Sequence, residues 1–507
     1  MSRIESVNVV DSQSVEAGPS VNPARYSRAL KFDPVQTGLP LAIESQCLEC
    51  EKVLAATMIE RDGAIVIEKE CPDHGAMLEV LHDVLFSDVS ADHLDSPDFT
   101  YTGSRIRPVV KYLPKTVETL CPECARNIIG RVFDWNGDVY MEKTCPDHGY
   151  VRDKVFTNTE LYLKCQQWGF RDGRGQTDPK VKNATHCPTD CGLCNQHQSD
   201  NLLGNIDLTN RCNLKCPVCF ANANVTGYVY EPEFDDIVAM MQQLLDYRPA
   251  PTRCIQFSGG EPTLHRDFLK IVRKAREMGF PQVQIASNGI KLADIDFAEA
   301  CAAAGLHTVY LQFDGVDDHV YEQTRGRKLF DIKCKAIENC HRAGVKIILV
   351  PTIVRGVNGD QVAKILHFAI DNIHAVSGIA YQPVAFTGRI SLEEREAQRY
   401  TLGDLCNDLA STGLADVKED MYPLTFVSPL SRMVGALTGR PTPSLTNHPN
   451  CSAGTYFLVG PNGEAAPLSQ AFDAERLFSE MDRIADAMAN SRFKFYHKLR
   501  LAHLFKA

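Results

Sequence analysis

The middle of the chain alternates two kinds of apolar pattern. Short apolar runs lie near 203–209, 253–257, 282–287, 307–313, 345–350 and 378–382, and each predicts a strand. Stretches with helical spacing lie between them, near 232–247, 266–278, 294–304, 331–343 and 360–372. Six β/α units in succession predict an α/β fold, a partial (β/α)6 TIM-like barrel whose ligands gather at the carboxyl ends of the strands.

The N-terminal third carries another pattern, which occurs twice. Residues 47–75 and 121–149 both read C-x2-C-x20-C-P-D-H-G, and 11 of their 29 positions are identical. Asp62-Gly63 and Asn136-Gly137 stand midway and are typical of a two-residue type I′ hairpin between short strands. Each unit therefore predicts one zinc-ribbon or rubredoxin-like site, and the two units together predict a tandem metal-ribbon domain. The predicted ligands are Cys47, Cys50, Cys71 and His74 in one unit, and Cys121, Cys124, Cys145 and His148 in the other.

The pattern leaves two questions about these ribbons open. Tetrahedral thiolates accept both Zn and mononuclear Fe. His74 and His148 either bind the metal or only shape the Pro-Asp-His-Gly turn, and in the second case the six cysteines could be shared between the units. Residues 42–165 contain 13 Lys+Arg and 22 Asp+Glu, a net charge of −9. That sign argues against nucleic acid and favours a structural scaffold or an electron relay.

Composition and cysteine count indicate the compartment in which the protein is expected to work. The 507 residues carry a net charge of −11 and include 19 cysteines. No apolar run reaches the roughly 18 residues of a membrane span, and the first 40 residues lack the apolar core of a secretory signal. An odd number of cysteines, mostly in clusters, predicts metal and iron–sulfur ligation in a reducing cytoplasm.

Two C-x3-C-x2-C motifs follow a polar linker at 171–186. They comprise Cys187, Cys191 and Cys194, then Cys212, Cys216 and Cys219. Three such thiolates hold three irons of a [4Fe–4S] cluster and leave the fourth iron open. Only the second motif follows a predicted barrel strand. The loop after the next strand reads Ser258-Gly259-Gly260-Glu261-Pro262, where glycines permit close approach of a ligand and a carboxylate can receive an ammonium group.

Cys212, Cys216 and Cys219, followed by the Gly-Gly-Glu-Pro loop, resemble the radical S-adenosylmethionine (radical SAM) enzymes. The resemblance implies that S-adenosylmethionine chelates the open iron and that the Gly-rich loop binds its methionine amine. One electron from the cluster would then cleave the sulfonium to a 5′-deoxyadenosyl radical. A low-potential donor of the ferredoxin or flavodoxin type would supply that electron.

A closer resemblance covers about residues 42–470. The ribbons, Cys187-Pro-Thr-Asp-Cys191-Gly-Leu-Cys194 and Asp207-Leu-Thr-Asn-Arg-Cys212 are similar to the 7,8-dihydro-6-hydroxymethylpterin methyltransferase-like (class D) enzymes and the related tetraether-lipid synthases. In that subgroup, extra cysteines hold auxiliary iron–sulfur clusters or a rubredoxin-type iron. The resemblance therefore implies an auxiliary cluster on Cys187, Cys191 and Cys194. Cys451, in a loop before a predicted strand, is the candidate fourth ligand, with Cys165 and His197 as contenders.

Polar residues at the ends of later strands are candidates for contact with S-adenosylmethionine or substrate. They are Ser287, Asn288, Gln312, Asp314, Val354 and Asn358, together with Arg325 as a carboxylate partner. The alternative is that the strand-end residues only cap strands and that Arg325 makes a surface ion pair. The remaining cysteines, Cys254, Cys301, Cys334, Cys340 and Cys406, lack knuckle spacing and are predicted to be small apolar side chains of the core.

The C-terminal region predicts a mixed α+β cap. It includes a helix at 401–412 and a hairpin at 455–468 that turns at Pro461-Asn462-Gly463. Residues 491–507 hold five Lys/Arg and no acidic residue. They favour a terminal helix packed on the barrel over a helix lying on an anionic membrane. The predicted divisions are a disordered tail (1–41), the ribbons (42–170), the linker (171–202), the barrel (203–390) and the cap (391–507).

Three functions are compatible with these patterns. The first is radical carbon–carbon bond formation, by C-methylation or alkyl-chain coupling, on a pterin-like small molecule or a lipid. The second is radical modification of a protein or RNA docked by the ribbons, and the acidic ribbons argue against RNA. The third is a non-catalytic iron–sulfur scaffold, which the intact cluster motif and Gly-Gly-Glu-Pro loop disfavour.

Overall fold

The computed structural model describes residues 40–47, 50, 52–61, 64–81, 113–124, 126–169, 177–184, 194–195, 197, 199–217, 219, 221, 223, 227–385, 392–443 and 445–490. Most of the predicted tail, the turn at Asp62-Gly63, the first two cysteines of the auxiliary motif and the basic segment 491–507 lie outside these ranges. The domain limits given above remain predictions.

The two ribbons have the same topology. Their strands are β1 Leu41–Gln46, β2 Val53–Arg61, β3 Ala64–Cys71 and β4 Gly75–Leu81, then β5 Lys115–Leu120, β6 Asn127–Trp135, β7 Asp138–Cys145 and β8 Gly149–Phe156. Each set forms an antiparallel sheet with neighbours in chain order. The predicted hairpins are β2–β3 and β6–β7. Asn136 and Gly137 have φ of +55° and +85°, as a type I′ turn requires. A strand before the first knuckle and another after the second were not predicted.

The barrel is built on a six-stranded parallel sheet in the order β15-β13-β12-β11-β10-β9. Its elements are β9 Leu203–Thr209, α2 Phe234–Asp246, β10 Cys254–Gly259, α3 Phe268–Glu277, β11 Gln282–Ser287, α4 Ile295–Ala304, β12 Thr308–Gln312, α5 Asp318–Arg325, α6 Phe330–Arg342, β13 Lys346–Val350, β14 Thr352–Ile353, α7 Gln361–Asp371, β15 Val376–Ile379 and β16 Gln382–Pro383. The six predicted strands and five predicted helices are confirmed with small shifts at their ends. The sequence did not predict α5.

The two faces of the barrel sheet differ in chemistry, because successive residues of a strand point to opposite sides. Ile255, Phe257 and similar residues on neighbouring strands form the apolar core with the helices. On the opposite, inner face, Gln256 Nε2 donates to Asn205 Oδ1 at 3.3 Å, and Gln284 Nε2 donates to Gln256 Oε1 at 2.8 Å. A hydrogen-bonded row of amides therefore crosses three strands inside the barrel.

The remaining elements form the cap and a helix beside the second ribbon. They are α1 Thr159–Gln167, α8 Leu392–Gln398, α9 Leu402–Ala410, α10 Val417–Asp420, β17 Tyr422–Pro423, α11 Ser428–Thr438, β18 Ala453–Gly454, β19 Phe457–Val459, β20 Ala465–Pro467 and α12 Ala474–Asn490. The predicted helix is α9, and the predicted hairpin is the antiparallel pair β19–β20. The long helix α12, which packs on α11 through Met433, Met481 and Met488, was not predicted.

Both ribbons contact the rest of the chain. The second ribbon meets the cap, where Thr157 N donates to Thr401 Oγ1 at 3.0 Å and Arg399 pairs with Asp153 at 3.1 Å. The first ribbon meets the segment that follows the Cys212 loop, where Val229 N donates to Glu44 O at 2.5 Å. Among the residues that the structure describes, no helix combines the length and apolar character needed to cross a membrane.

Candidate functional site

Each ribbon brings its own four candidate ligands together. In each set the ligand atoms lie within 4.8 Å of one another, and the sets are Cys47, Cys50, Cys71, His74 and Cys121, Cys124, Cys145, His148. Sharing of cysteines between the ribbons is therefore not the arrangement that the structure describes. In both ribbons the histidine directs Nδ1 toward the thiols, at 3.5 Å from Cys71 Sγ and from Cys145 Sγ.

The spacing of these atoms fits a single tetrahedral ion. Thiolates at about 2.3 Å from the metal and an imidazole at about 2.0 Å would place sulfurs about 3.8 Å apart and sulfur and nitrogen about 3.5 Å apart. The observed distances are 3.7 Å for Cys50–Cys71 and 3.8 Å for Cys124–Cys145. Burial raises the pKa of the Cys145 thiol, but hydrogen bonds from His148 and the turn backbone outweigh it and lower the pKa to about 6.

The Cys212 loop is fastened to the Gly-rich loop backbone to backbone. Gly260 N donates to Thr209 O at 2.7 Å, and Glu261 N donates to Arg211 O at 2.9 Å. A Cβ on Gly259, whose φ is +120°, would stand 2.1 Å from Thr209 O. The two glycines therefore allow the Gly-rich loop to pack closely against the cysteine loop. The sequence analysis expected the same glycines to allow close approach of a ligand.

Glu261 ties the Gly-rich loop to the end of β11. Its carboxylate is buried and accepts from Thr263 Oγ1 at 2.6 Å, Thr263 N at 3.3 Å, Ser287 Oγ at 2.9 Å and Asn288 N at 2.8 Å. Three of these bonds reach Oε1 and one reaches Oε2, so Oε2 keeps acceptor capacity. The expectation that this carboxylate receives a ligand's ammonium group stays a prediction. Ser287 is occupied by the same contact.

Asn288 places its amide beside the first cluster cysteine. Its Nδ2 lies 3.8 Å from Cys212 Sγ and donates to Asn213 Oδ1 at 2.6 Å. Burial raises the pKa of the Cys212 thiol to about 11. A thiolate at Cys212 would therefore need a metal, or donors such as this amide, for its stabilisation.

Arg325 and Asp314 form a buried ion pair at the second cluster cysteine. Arg325 Nε and Nη2 donate to the two oxygens of Asp314 at 2.5 and 2.9 Å, and both side chains are at most 7% exposed. Arg325 also hydrogen-bonds Cys216, which opposes the rise that burial causes in the pKa of that thiol. The alternative of a surface ion pair is therefore wrong, because the pair is buried. The carboxylate that Arg325 contacts in the structure belongs to Asp314.

The residues after β13 support the strand ends. Asn358 is fully buried, and its Nδ2 donates to Asp314 O at 3.0 Å and Thr352 O at 2.8 Å. Its Oδ1 accepts from Val354 N at 2.8 Å. These bonds match the capping alternative for Val354 and Asn358. Ser258 and Pro262 belong to the Gly-rich loop motif, where Ser258 is the second-last residue of β10, beside the inner face, and Pro262 is buried.

Lys333, on α6, is a buried member of this site that sequence reasoning missed. Its Nζ donates to Asn288 O at 2.6 Å and to Gln312 Oε1 at 2.7 Å, and Gln312 in turn donates to Asp314. Burial lowers its pKa to about 7. Helical spacing could have predicted its burial, because Lys333 lies on the same helix face as Ala336, Ile337 and Cys340.

The auxiliary motif is described only in part. Cys194 is buried, and Cys451 is exposed on the loop before β18. Cys165 is fully buried in an apolar cluster with Cys406, and burial raises its pKa to about 12, so its surroundings are those of a core side chain. The predicted core cysteines Cys301, Cys340 and Cys406 are buried, whereas Cys254 and Cys334 are half-buried. The backbone N–H of His197 donates to Cys194 O at 3.2 Å.

Known proteins match both parts of this architecture. The model of the Radical SAM superfamily matches residues 206–369, and that of the HMPTM N-terminal zinc ribbon domain matches residues 40–83 and 113–157. The Fe-coproporphyrin III synthase of Methanosarcina barkeri is 34% identical over 148 residues, 29% of this chain and 36% of the relative. The Streptococcus suis SuiB structure with S-adenosylmethionine is 18% identical over 42% of this chain and 47% of that chain, with a TM-score of 0.35.

One relative covers most of the molecule. The 7,8-dihydro-6-hydroxymethylpterin dimethyltransferase of Methanocaldococcus jannaschii is 43% identical to this chain over 365 residues, which are 72% of each protein. The two family models separately cover the paired ribbons and the barrel of this chain. The chain therefore belongs to the radical SAM superfamily of enzymes, and within it to the 7,8-dihydro-6-hydroxymethylpterin methyltransferase-like family.

Proposed function

We propose that this enzyme transfers methyl groups to carbon atoms of a reduced pterin of the 7,8-dihydro-6-hydroxymethylpterin type. The observation that carries the proposal is the 43% identity to the Methanocaldococcus jannaschii enzyme across 72% of both chains. In this proposal the methyl donor is either a second S-adenosylmethionine or a reduced folate.

The inner face of the barrel supports a polar heterocyclic substrate. Asn205, Gln256 and Gln284 present their amides there in a hydrogen-bonded row. A pterin offers amide and amine groups that can pair with such side chains, whereas an alkyl chain would leave them facing hydrocarbon. Each amide has two N–H donors and an oxygen acceptor, and the positions that the row does not use would cost free energy if they were buried against hydrocarbon. This contrast favours the pterin over the lipid substrate among the sequence predictions.

Cys212, Cys216 and Cys219 would hold a [4Fe–4S] cluster in this proposal. Three cysteines with this spacing can each bind one iron and leave the fourth iron open. When bound, the cluster supplies the electron that cleaves S-adenosylmethionine to a radical able to take hydrogen from a C–H bond. Asn288 and Arg325 direct N–H groups at two of the three thiols.

The ribbons serve as single-ion structural sites in this proposal, and an auxiliary cluster rests on Cys187, Cys191, Cys194 and Cys451. Three further expectations stay predictions, and no described residue favours them. They are electron delivery by a ferredoxin-type or flavodoxin-type donor, membrane contact through 491–507, and modification of a protein or RNA.

The test is an anaerobic assay of the reconstituted enzyme with dithionite, S-adenosylmethionine and 7,8-dihydro-6-hydroxymethylpterin. We expect 5′-deoxyadenosine together with a pterin that has gained one or two methyl groups, and parallel reactions with and without a reduced folate identify the donor. With a substrate deuterated at the methylated carbon, deuterium should appear in 5′-deoxyadenosine. A Gln256→Leu variant should raise the KM for the pterin more than a Gln242→Leu variant of the exposed face of α2. Cleavage of S-adenosylmethionine without pterin methylation would reject the proposed substrate.

A further inference from the structure

Lys333 lies on the buried face of α6, at a position where a globular protein ordinarily has an apolar side chain. Its side chain is 0% exposed, and its neighbours on the buried face of α6 are Ala336, Ile337 and Cys340. Lysines ordinarily extend their ammonium group to water. A fully buried ammonium destabilises a protein unless hydrogen bonds and opposite charges surround it. The position therefore calls for a specific set of partners.

Those partners connect Lys333 to two cluster cysteines. Its Nζ donates to Asn288 O at 2.6 Å, and the side chain of the same asparagine lies 3.8 Å from Cys212 Sγ. Its Nζ also donates to Gln312 Oε1 at 2.7 Å, and Gln312 donates to Asp314, the partner of Arg325. Arg325 hydrogen-bonds Cys216. One ammonium group thus joins the ends of β11 and β12 beneath the two cysteines.

Burial lowers the pKa of Lys333 to about 7, and the negative groups near it act against that lowering. The buried charged groups that face it are Asp314, Glu261 and Arg325, with the Cys216 thiol beside them. Without Lys333 the surroundings would hold two carboxylates against one guanidinium. Thiolates bound to the cluster add negative charge at the same place, and negative charge stabilises a nearby ammonium.

We propose that Lys333 is a positioning residue for reduction of the cluster: it holds Asn288 and Arg325 at Cys212 and Cys216, and its positive charge favours the reduced state. The step is one-electron transfer from a low-potential donor, which is oxidised, to the cluster, which gains one negative charge. A positive charge in a poorly solvated site stabilises that added charge. The proposal rests on membership of the radical SAM superfamily and not on the identity of the substrate.

The test is an EPR-monitored redox titration of the reconstituted enzyme without substrate. The variants are Lys333→Met, which removes the charge and keeps the chain length, and Lys333→Arg, which keeps the charge. Lys335→Met, on the exposed face of the same helix, is the matched control. Iron, sulfide and zinc contents and circular dichroism are measured for each variant. We expect Lys333→Met to lower the equilibrium constant for reduction about tenfold, which is about 59 mV. Lys335→Met and Lys333→Arg should stay close to the wild type.

A Lys333→Met enzyme that holds its cluster at the wild-type potential would overturn the proposal. If this variant does not hold a cluster, Lys333→Gln, which keeps an N–H donor without the charge, is titrated under the same criteria. If both neutral variants lose the cluster while zinc content and circular dichroism are unchanged, retention by Lys333→Arg supports the role of the charge, and loss from Lys333→Arg contradicts it. Because the titration contains no pterin, a failure of the methylation assay leaves this result unaffected.

Discussion

Gly260 lies against the backbone of Arg211, so that a Cβ at position 260 would stand 2.3 Å from the Arg211 carbonyl oxygen. The neighbouring bond from Glu261 N to the same oxygen measures 2.9 Å. Arg211 directly precedes Cys212. The Gly-rich loop and the cysteine loop are therefore one packed unit, in which a single methyl group has no space.

We expect Gly260→Ala to displace the Cys212 loop and to lower the iron content of the reconstituted enzyme. Overpacking of this kind destabilises by about 1–3 kcal/mol. Gly359→Ala is the matched control, because a Cβ there meets no atom within 4 Å. Iron and sulfide analysis with thermal unfolding measures both effects, and a Gly260→Ala protein with normal iron content would contradict the packing argument.

Loss of the buried ion pair should be far more harmful than loss of an exposed one. Arg325→Met leaves the Asp314 carboxylate buried with one partner fewer, and breaking a buried pair costs about 3–5 kcal/mol. Arg483→Met removes the exposed pair with Glu480, which is expected to cost about 0–1 kcal/mol. Urea unfolding of the two variants compares these values. Equal losses in the two variants would show that Arg325 and Asp314 do not act as a desolvated pair.

His148 is expected to bind the metal of the second ribbon and not merely to shape its turn. His148→Ala should weaken metal binding at that ribbon, whereas His148→Cys should restore it by supplying another soft ligand. Asp147→Asn, in the same turn, is the control and should bind normally. Competition with a chelator, read by metal analysis, ranks the variants. Identical retention of metal in His148→Ala and the wild type would assign the histidine to the turn.

The cysteines outside the motifs should differ sharply in reactivity toward iodoacetamide at pH 8. Burial raises the pKa of Cys301, Cys340 and Cys406 to about 12, and since the thiolate is the reacting form these cysteines should stay unmodified in the folded enzyme. Cys451 is exposed and should react in metal-free protein. If it is the fourth auxiliary ligand, reconstitution should protect it. Peptide mass spectrometry reads each site, and equal labelling of Cys451 before and after reconstitution would remove it from the ligand set.

Much of the architecture follows from local patterns. Strand and helix periodicity placed the six strands of the barrel sheet and five of its helices, because each pattern reflects burial on one face of a single element. The repeated ligand spacing with Asn136-Gly137 placed the second ribbon's hairpin and its four ligands, because a short turn limits how far apart those residues can lie. The long helix α12 shows the limit of this reasoning, since its amphipathic pattern was present and was not recognised.

The roles of the polar residues around the cysteines depend on contacts between distant parts of the chain. Lys333 and Asn288 are 45 residues apart, and Asn288 and Cys212 are 76 apart. No periodicity tells which strand ends will meet, so the sequence left Arg325 either as a carboxylate partner of a ligand or in a surface ion pair, and its buried pair with Asp314 was not predicted. Whether a charged side chain binds a ligand or supports the fold depends on its burial and on which donors surround it, and both arise only when the strands assemble.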